Sequence, residues 1–176
     1  IYVGYLGSVP AVELAADVMD TMLAPGGITV VDPAMADHGK RYSGLDEAYA
    51  DAMMALCGKA DIIIPNITEA AMMTHLPYRE NSDEEYVRTL MQKMPGREVV
   101  LTGVGFDDQH TGFGVRSAGR ISFFHHPKIG KSYHGTGDIF ASAFVGALAS
   151  GKDLEGAGLI AAEYTFRCIQ KTFEAP

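Results

Sequence analysis

The chain has 176 residues, 47% hydrophobic and 20% charged, enough for one sizeable core of ordinary globular composition. Fourteen Lys and Arg against 22 Asp and Glu give a net charge of −8 without any basic run, which argues against nucleic-acid and anionic-membrane partners. No apolar run reaches the length of a membrane span, and no signal-peptide pattern is visible. Cys57 and Cys168 fall inside predicted helices with no Cys or His neighbour at metal spacing, so both read as reduced, buried small side chains of a cytosolic protein. The opening, Ile1-Tyr2-Val3-Gly4, reads as the inside of a strand, and the expectation is that residues precede position 1.

Strand and helix signals alternate along the chain. Residues 1–3 form a short apolar strand, and Ser8 with Pro10 marks a helix start. The helix carries an apolar stripe of Val12, Leu14, Ala15, Val18, Met19 and Met22, and Pro25-Gly26-Gly27 ends it. Residues 28–31 are a continuous apolar strand of the kind buried on both faces. A polar connector spans 32–43, a second helix 45–56, and another buried strand 61–64 is closed by Pro65. Asn66 with Glu69 has capping-box spacing for a third helix, and Ser82 with Glu85 for a fourth. A strand at 98–102 follows, then 110–115 and 120–125 as an antiparallel hairpin around Ala118-Gly119. Helices at about 136–150 and 154–172 close the chain. Repeated strand–helix units predict an α/β fold, a doubly wound, mostly parallel sheet with helices on both faces. Without a linker or repeat, residues 1–176 read as a single domain, incomplete at its N-terminus.

In such sheets ligands bind beyond the carboxyl ends of the strands, so polar residues placed just after strands are the candidates for chemistry. Asp32, at a strand end, and Asp37, in the loop, could face a magnesium–nucleotide complex, because a hard cation wants carboxylate oxygens and keeps several waters. They read equally as a turn starter and a solvated connector. Asn66 and Glu69 could hold metal-bound water as well as start a helix. Thr102 and Gly103 offer a hydroxyl and a closely approaching backbone to a phosphate oxygen. Tyr5, flanked by glycines, could stack on a flat substrate, or pack in the core with its hydroxyl satisfied. The six histidines show no metal spacing on any element, and His125-His126 reads as surface. The pairs Met53-Met54 and Met72-Met73 read as core filler.

The segment His134-Gly135-Thr136-Gly137-Asp138 leads directly into an apolar helical run. Glycines let the backbone turn tightly and approach a ligand, and a helix starting there aims unpaired N–H groups and its positive dipole end at the turn. That is an anion site suited to phosphate. A carboxylate beside a phosphate makes sense as the base that accepts a proton from an attacking hydroxyl, although the same string also serves as a turn and helix cap.

Taken in order, Gly4-Tyr5-Leu6-Gly7-Ser8, Asp32-Pro33-x-Met35-x-Asp37-x-Gly39-x-x-Tyr42, Ala60-Asp61-Ile62-Ile63-x-Pro65-Asn66-x-x-Glu69, Thr102-Gly103 and Gly135-Thr136-Gly137-Asp138 resemble the ribokinase-like superfamily. Within it the pattern is most similar to the bacterial pyridoxal (vitamin B6) kinases. The likeness runs from Tyr2 to the last helix. Its Gly-Thr-Gly-Asp and Pro-Asn-x-x-Glu parts are superfamily-wide, and its first two segments point to the vitamin B6 branch.

The resemblance implies a three-layer α/β/α kinase that transfers phosphate from ATP to the 5′-hydroxymethyl group of pyridoxal, pyridoxine or pyridoxamine, in the cytoplasm and as a homodimer. It implies Asp138 as the base, in contact with the substrate hydroxyl, and the N–H groups of Gly135, Thr136 and Gly137 as the anion hole. Asp32, Asp37, Asn66 and Glu69 would organise Mg²⁺, partly through water, with K⁺ left open. Thr102, Asp37, Tyr42 and Asn66 would meet the nucleotide, and the loop 37–42 would close over it with Lys40 or Arg41 against phosphate. Tyr5 would pack on the pyridine ring, and the adenine would sit between the 124–133 region and the last helix. Members of the family are longer at the N-terminus, which implies that much of the vitamin pocket lies upstream of Ile1. Ala36 stands where many of them carry Gly.

Three alternatives remain at this point. A hydroxymethylpyrimidine kinase of thiamin synthesis often has Cys at the position of Asp138, and some vitamin B6 kinases accept both substrates. A sugar or nucleoside kinase fits the first segment less well. A non-catalytic relative would bind nucleotide or vitamin without transfer.

Overall fold

The computed structural model describes residues 1–130 and 133–174. In chain order its elements are β1 (Tyr2–Val3), α1 (Val9–Met22), β2 (Val30–Val31), β3 (Ala36–Asp37), β4 (Lys40–Arg41), α2 (Glu47–Lys59), β5 (Ile62–Ile63), α3 (Ile67–Met73), α4 (Glu84–Lys93), β6 (Glu98–Val104), β7 (His110–Ser117), β8 (Arg120–Pro127), α5 (Thr136–Ala149) and α6 (Leu154–Glu174). Six strands make one sheet in the order β1-β2-β5-β6-β7-β8. The first four run parallel, and β7 and β8 add an antiparallel margin.

Side-chain alternation along the parallel strands divides the core in two. Val3, Val31, Ile63, Val99 and Leu101 pack with buried side chains of α1 to α4. Val30, Ile62, Ile64, Val100 and Phe113 pack on the opposite face with Phe140 and Phe144 of α5 and Ala157 and Ala161 of α6. Neighbouring residues of one strand therefore serve opposite layers, which is why the strands read as unbroken apolar runs. Each aliphatic side chain so buried contributes about 1.5–3 kcal/mol. No helix among the described residues is long and apolar enough to cross a membrane.

The sheet places the ends of β2, β5 and β6 side by side. Beyond β5 the ladder is prolonged by a single bridge between Asn66 and Thr102, with the Thr102 N–H donating to Pro65 O at 2.9 Å. On the other face α5 starts at the same end of the sheet. Its N-cap is Gly135, at φ 83°, a left-handed conformation that glycine enters without penalty. Its far end closes on a second left-handed glycine, Gly151, through Gly151 N–H to Leu148 O (2.9 Å) and Lys152 N–H to Ala147 O (3.1 Å).

Several sequence expectations are corrected. The polar connector 32–43 contains a small sheet, β3 with β4, because His38 (φ 49°) and Gly39 (φ 76°) form a two-residue turn with both φ positive. The fourth helix is capped by Asp83, not Ser82: the Asp83 carboxylate accepts from Tyr86 N–H at 2.7 Å, while the Ser82 hydroxyl donates to Arg79 O. A carboxylate at the helix start gains from the dipole where a hydroxyl does not. In α1 the buried seam is Val12 and Met19, one heptad apart, so Leu14 and Met22 point away and are exposed. Cys57 is buried as expected, but Cys168 is only half-buried.

Candidate active site

A cleft of about 570 Å³ opens at the carboxyl ends of β2, β5 and β6 and is roofed by the start of α5 and one side of α6. Asp32, Asp37, Tyr42, Asn66, Glu69 and Thr102 all line it. So do Gly103 and the run Gly135, Thr136, Gly137 and Asp138. These are the strand-end clusters singled out from the sequence, brought to one cavity by parallel strands that end at one level.

The start of α5 supplies the positive side of the cleft. No side chain caps it, and the first-turn N–H groups of an α-helix lack intrahelical partners. Thr136 turns its hydroxyl back to Tyr133 O at 3.3 Å, leaving the loop held from behind. Asp138 is exposed in the cleft. Gly103, at φ 73° in the irregular step of β6, lines the same cleft from the sheet, with open space where a Cβ would stand.

Two buried carboxyls form the floor. Asp32 is 8% exposed and its pKa is pushed up to about 7, first by burial and further by the charge of Asp138, against the pull of hydrogen bonds from Ala34 N–H and the Tyr2 hydroxyl. Glu69 is 1% exposed and is pushed up to about 8, mainly by burial and then by Asp32. Its Oε1 accepts from Met35 N–H (2.8 Å) and Ala36 N–H (3.3 Å), and its Oε2 from Asn66 N–H (2.9 Å). Glu69 is thus the N3 residue of the expected capping box and also the strut that fixes the β3–β4 hairpin on α3. Asn66 is as fully engaged: its Oδ1 accepts from Glu69 N–H at 3.0 Å, and its Nδ2 donates to Ala36 O at 2.8 Å. The hairpin tip is held by Gly39 N–H on the Thr68 hydroxyl at 3.0 Å.

Not every predicted residue reaches the cavity. Tyr5 is 59% exposed on the loop after β1 and does not line the cleft, so it is not core packing. Arg41 donates to Glu47 at 2.8 Å and, like Lys40, does not line the cleft. Conversely His126, read as surface, is half-buried, lines the cleft and meets Phe166 edge-on at 5.4 Å. With Tyr133, Thr165 and Ile169 it closes the end of the cleft between β8 and α6. Within the 124–133 region, Lys131 and Ser132 lie outside the described residues. Only the alternation of β8 could have separated His126 from the exposed His125 in the sequence.

Among the described residues no three His, Cys, Asp or Glu side chains form a group able to hold a metal ion alone. A nucleotide-bound Mg²⁺ needs only one or two carboxylates beside phosphate and water. Asp32, a buried hard-oxygen donor with no basic partner among the described residues and a second carboxylate nearby, fits that requirement.

The sequence model described as phosphomethylpyrimidine kinase matches residues 1–175. The hydroxymethylpyrimidine/phosphomethylpyrimidine kinase of Haemophilus influenzae is 25% identical over 172 residues, 95% of this chain and 63% of the relative. A putative phosphomethylpyrimidine kinase from Bacteroides thetaiotaomicron superposes with a TM-score of 0.90 at 31% identity, covering 99% of this chain and 62% of that one. An orthorhombic form of that protein with pyridoxal gives 0.89 at 32%, covering 100% and 64%. The pyridoxal kinase of Lactobacillus plantarum gives 0.86 at 30%, covering 98% and 62%. The chain therefore spans less than two thirds of the length of these relatives, and its fold is theirs, the ribokinase-like α/β arrangement. It belongs to the phosphomethylpyrimidine kinase family.

Proposed function

We propose that this member of the phosphomethylpyrimidine kinase family phosphorylates the 5′-hydroxymethyl group of pyridoxal, pyridoxine or pyridoxamine with ATP. The observation that carries the reading is the pairing of an uncapped helix start with an exposed carboxylate, Asp138, in one cleft. Phosphoryl transfer asks little covalent chemistry of a protein and much positioning and charge neutralisation, and this arrangement supplies both.

The acceptor hydroxyl donates to the Asp138 carboxylate, which takes its proton as the oxygen bonds to the γ-phosphorus of ATP. The bond from that phosphorus to the β,γ-bridging oxygen breaks, and ADP leaves. The N–H groups of Gly135, Thr136 and Gly137 meet the charge spread over the transferring phosphoryl oxygens. Mg²⁺ bound with ATP would be held by Asp32, with Asn66 and Glu69 ordering water and Asp37 at the mouth, and would neutralise phosphate charge. Thr102, Gly103 and Tyr42 flank the phosphates, and the adenine takes the end of the cleft between His126 and α6. Tyr5 receives the flat ring of the vitamer at the exposed margin.

A second reading, phosphorylation of hydroxymethylpyrimidine, is favoured by the family description and by the Haemophilus relative. Asp138 weighs for the vitamin, because the thiamin-pathway kinases that this chain resembles often have Cys there. ADP release from Mg·ATP, measured with pyridoxal and with hydroxymethylpyrimidine, tests both. Release that depends on pyridoxal and is abolished in Asp138→Asn is the expected result. Tight pyridoxal binding without ADP release would overturn it.

A further inference from the structure

The β3–β4 hairpin carries part of the cleft wall, yet it is bound to the rest of the fold unevenly. Asp37 and His38, at its tip, and Tyr42, just beyond β4, line the cleft. Its base is held firmly. Glu69 Oε1 accepts from Met35 and Ala36 N–H, Asn66 Nδ2 donates to Ala36 O at 2.8 Å, and Tyr42 N–H donates to Met35 O at 2.9 Å. Those bonds fix where the hairpin starts, but not how far its tip leans toward the cleft.

The tip has a seat of its own. Thr68, the residue before Glu69 in α3, is 3% exposed, and its hydroxyl accepts from Gly39 N–H at 3.0 Å. The ring of Tyr78 lies against Gly39, so close that a Cβ there would stand 2.7 Å from Cδ1. Both neighbours of Tyr78 are braced by α4. The hydroxyl of the buried Tyr86 donates to Pro77 O at 2.6 Å, and the Arg79 guanidinium lies over the Tyr86 ring at 4.5 Å. A buried hydroxyl and a braced ring thus meet the one residue of the turn that has no side chain. Thr68 fills an unassigned position of the Pro-Asn-x-x-Glu segment, and Tyr78 belongs to no motif.

We propose that Thr68 and Tyr78 are positioning residues of the nucleotide site: together they seat Gly39 and so hold Asp37 and His38 at the mouth of the cleft, where they meet Mg·ATP. With the seat lost, the tip spends part of its time away from the cleft, and nucleotide affinity falls with the fraction of molecules still seated.

The inference takes its ligand from the kinase reading and is tested without turnover. Two readouts on the full chain are compared. One is calorimetric affinity for a non-hydrolysable ATP analogue in Mg²⁺. The other is tryptic cleavage after the exposed Lys40 and Arg41, whose rate tracks transient opening of the hairpin. Thr68→Val keeps the shape and removes the acceptor. It should weaken the analogue about three- to tenfold, the scale of one neutral hydrogen bond, and speed hairpin cleavage by a similar factor. Thr68→Ser, which keeps the hydroxyl, should restore both, and Tyr78→Ala should move both as Thr68→Val does. Unchanged analogue affinity in Thr68→Val would overturn the proposal, whatever the cleavage rate. So would equally faster cleavage after Arg88 and Lys93 in α4 with a lowered Tm, the mark of a merely structural threonine. If no acceptor elicits ADP release yet both readouts still depend on Thr68, the kinase reading fails and the seat stands. If ADP release is intact and affinity is indifferent to Thr68, the seat fails and the kinase reading stands.

Discussion

The two ends of the sheet hold cavities of nearly equal size, about 570 Å³ at the carboxyl ends of the strands and about 560 Å³ at the amino ends. Both are lined by charged residues. At the amino end two of the acidic side chains, Asp61 and Asp153, are well partnered, while Glu98 Oε2 is buried without a hydrogen bond among the described residues. Asp61 Oδ2 accepts from Thr29 N–H and the Thr29 hydroxyl, each at 2.9 Å, and Arg97 lies 3.7 Å from Oδ1. The start of α6 is closed by Asp153, which accepts from Gly156 N–H at 2.8 Å. At the carboxyl end the start of α5 is uncapped, and the charge of Asp138 works against the buried Asp32. Volume does not separate the two; an uncapped helix start beside the buried Asp32 does.

The largest effect should come from exchanging one carboxylate at each end. Asp138→Asn is expected to lower acceptor-dependent ADP release by about 10²–10⁴-fold, the contribution of a positioned general base. Asp153→Ala should leave that rate within about twofold and cost about 1 kcal/mol of stability through the lost helix cap, read by urea unfolding. Comparable losses of activity in both would erase the distinction between the cavities.

The buried carboxyls predict a pH dependence peculiar to the carboxyl-end cleft. Asp32 and Glu69 are raised to about 7 and about 8, so the folded protein holds their protons where the unfolded chain releases them. Their contribution to stability is therefore fully present below about pH 4 and is lost as pH rises toward 8. The ligand-free protein should melt a few degrees lower at pH 8 than at pH 5, and Asp32→Asn should flatten that slope. A slope unchanged in Asp32→Asn would show that its carboxyl is not the uncompensated group.

Two glycines sharpen the contrast at smaller scale. Gly135 (φ 83°) starts α5 in the cleft and Gly151 (φ 84°) ends it at the far side, each with open space around a Cβ. Alanine at either costs about 1–2 kcal/mol of left-handed strain. Only Gly135→Ala should also depress transfer, because the strain falls on the N–H groups proposed to meet the phosphoryl oxygens. Equal kinetics in the two variants would argue that the loop does not need its glycine.

Much of this contrast is legible in the sequence. Apolar strands ended by Asp32, Pro65-Asn66 and Thr102-Gly103 announce the carboxyl-end cleft, because a strand's end fixes where the next polar residue stands. The β3–β4 hairpin is not legible, since two-residue strands have no period and His38-Gly39 is a weaker turn signal than Asn-Gly. Nor is the full engagement of Glu69, two of whose three donors, Met35 and Ala36, lie more than thirty residues away. Tyr5, conspicuous between glycines, proved exposed and off the cleft wall.

The smallest prediction probes the amino-end cavity alone. Arg97 is 84% exposed in its side chain and meets Asp61 only at 3.7 Å, whereas Thr29 holds the same carboxylate through two bonds at 2.9 Å. Screened by solvent, an ion pair of this kind contributes at most about 1 kcal/mol and commonly less than half of that. Arg97→Ala should therefore change unfolding free energy by under about 0.5 kcal/mol and leave ADP release untouched. Thr29 is 4% exposed and binds Asp61 reciprocally, its hydroxyl accepting from Asp61 N–H at 2.9 Å. Thr29→Val should cost more, about 1–2 kcal/mol, because it leaves the part-buried Asp61 N–H without its partner and removes one of the two bonds Thr29 makes to the carboxylate. A ranking in which Arg97 outweighs Thr29 would mean that the exposed ion pair, and not the Thr29 bonds, fixes the Asp61 carboxylate.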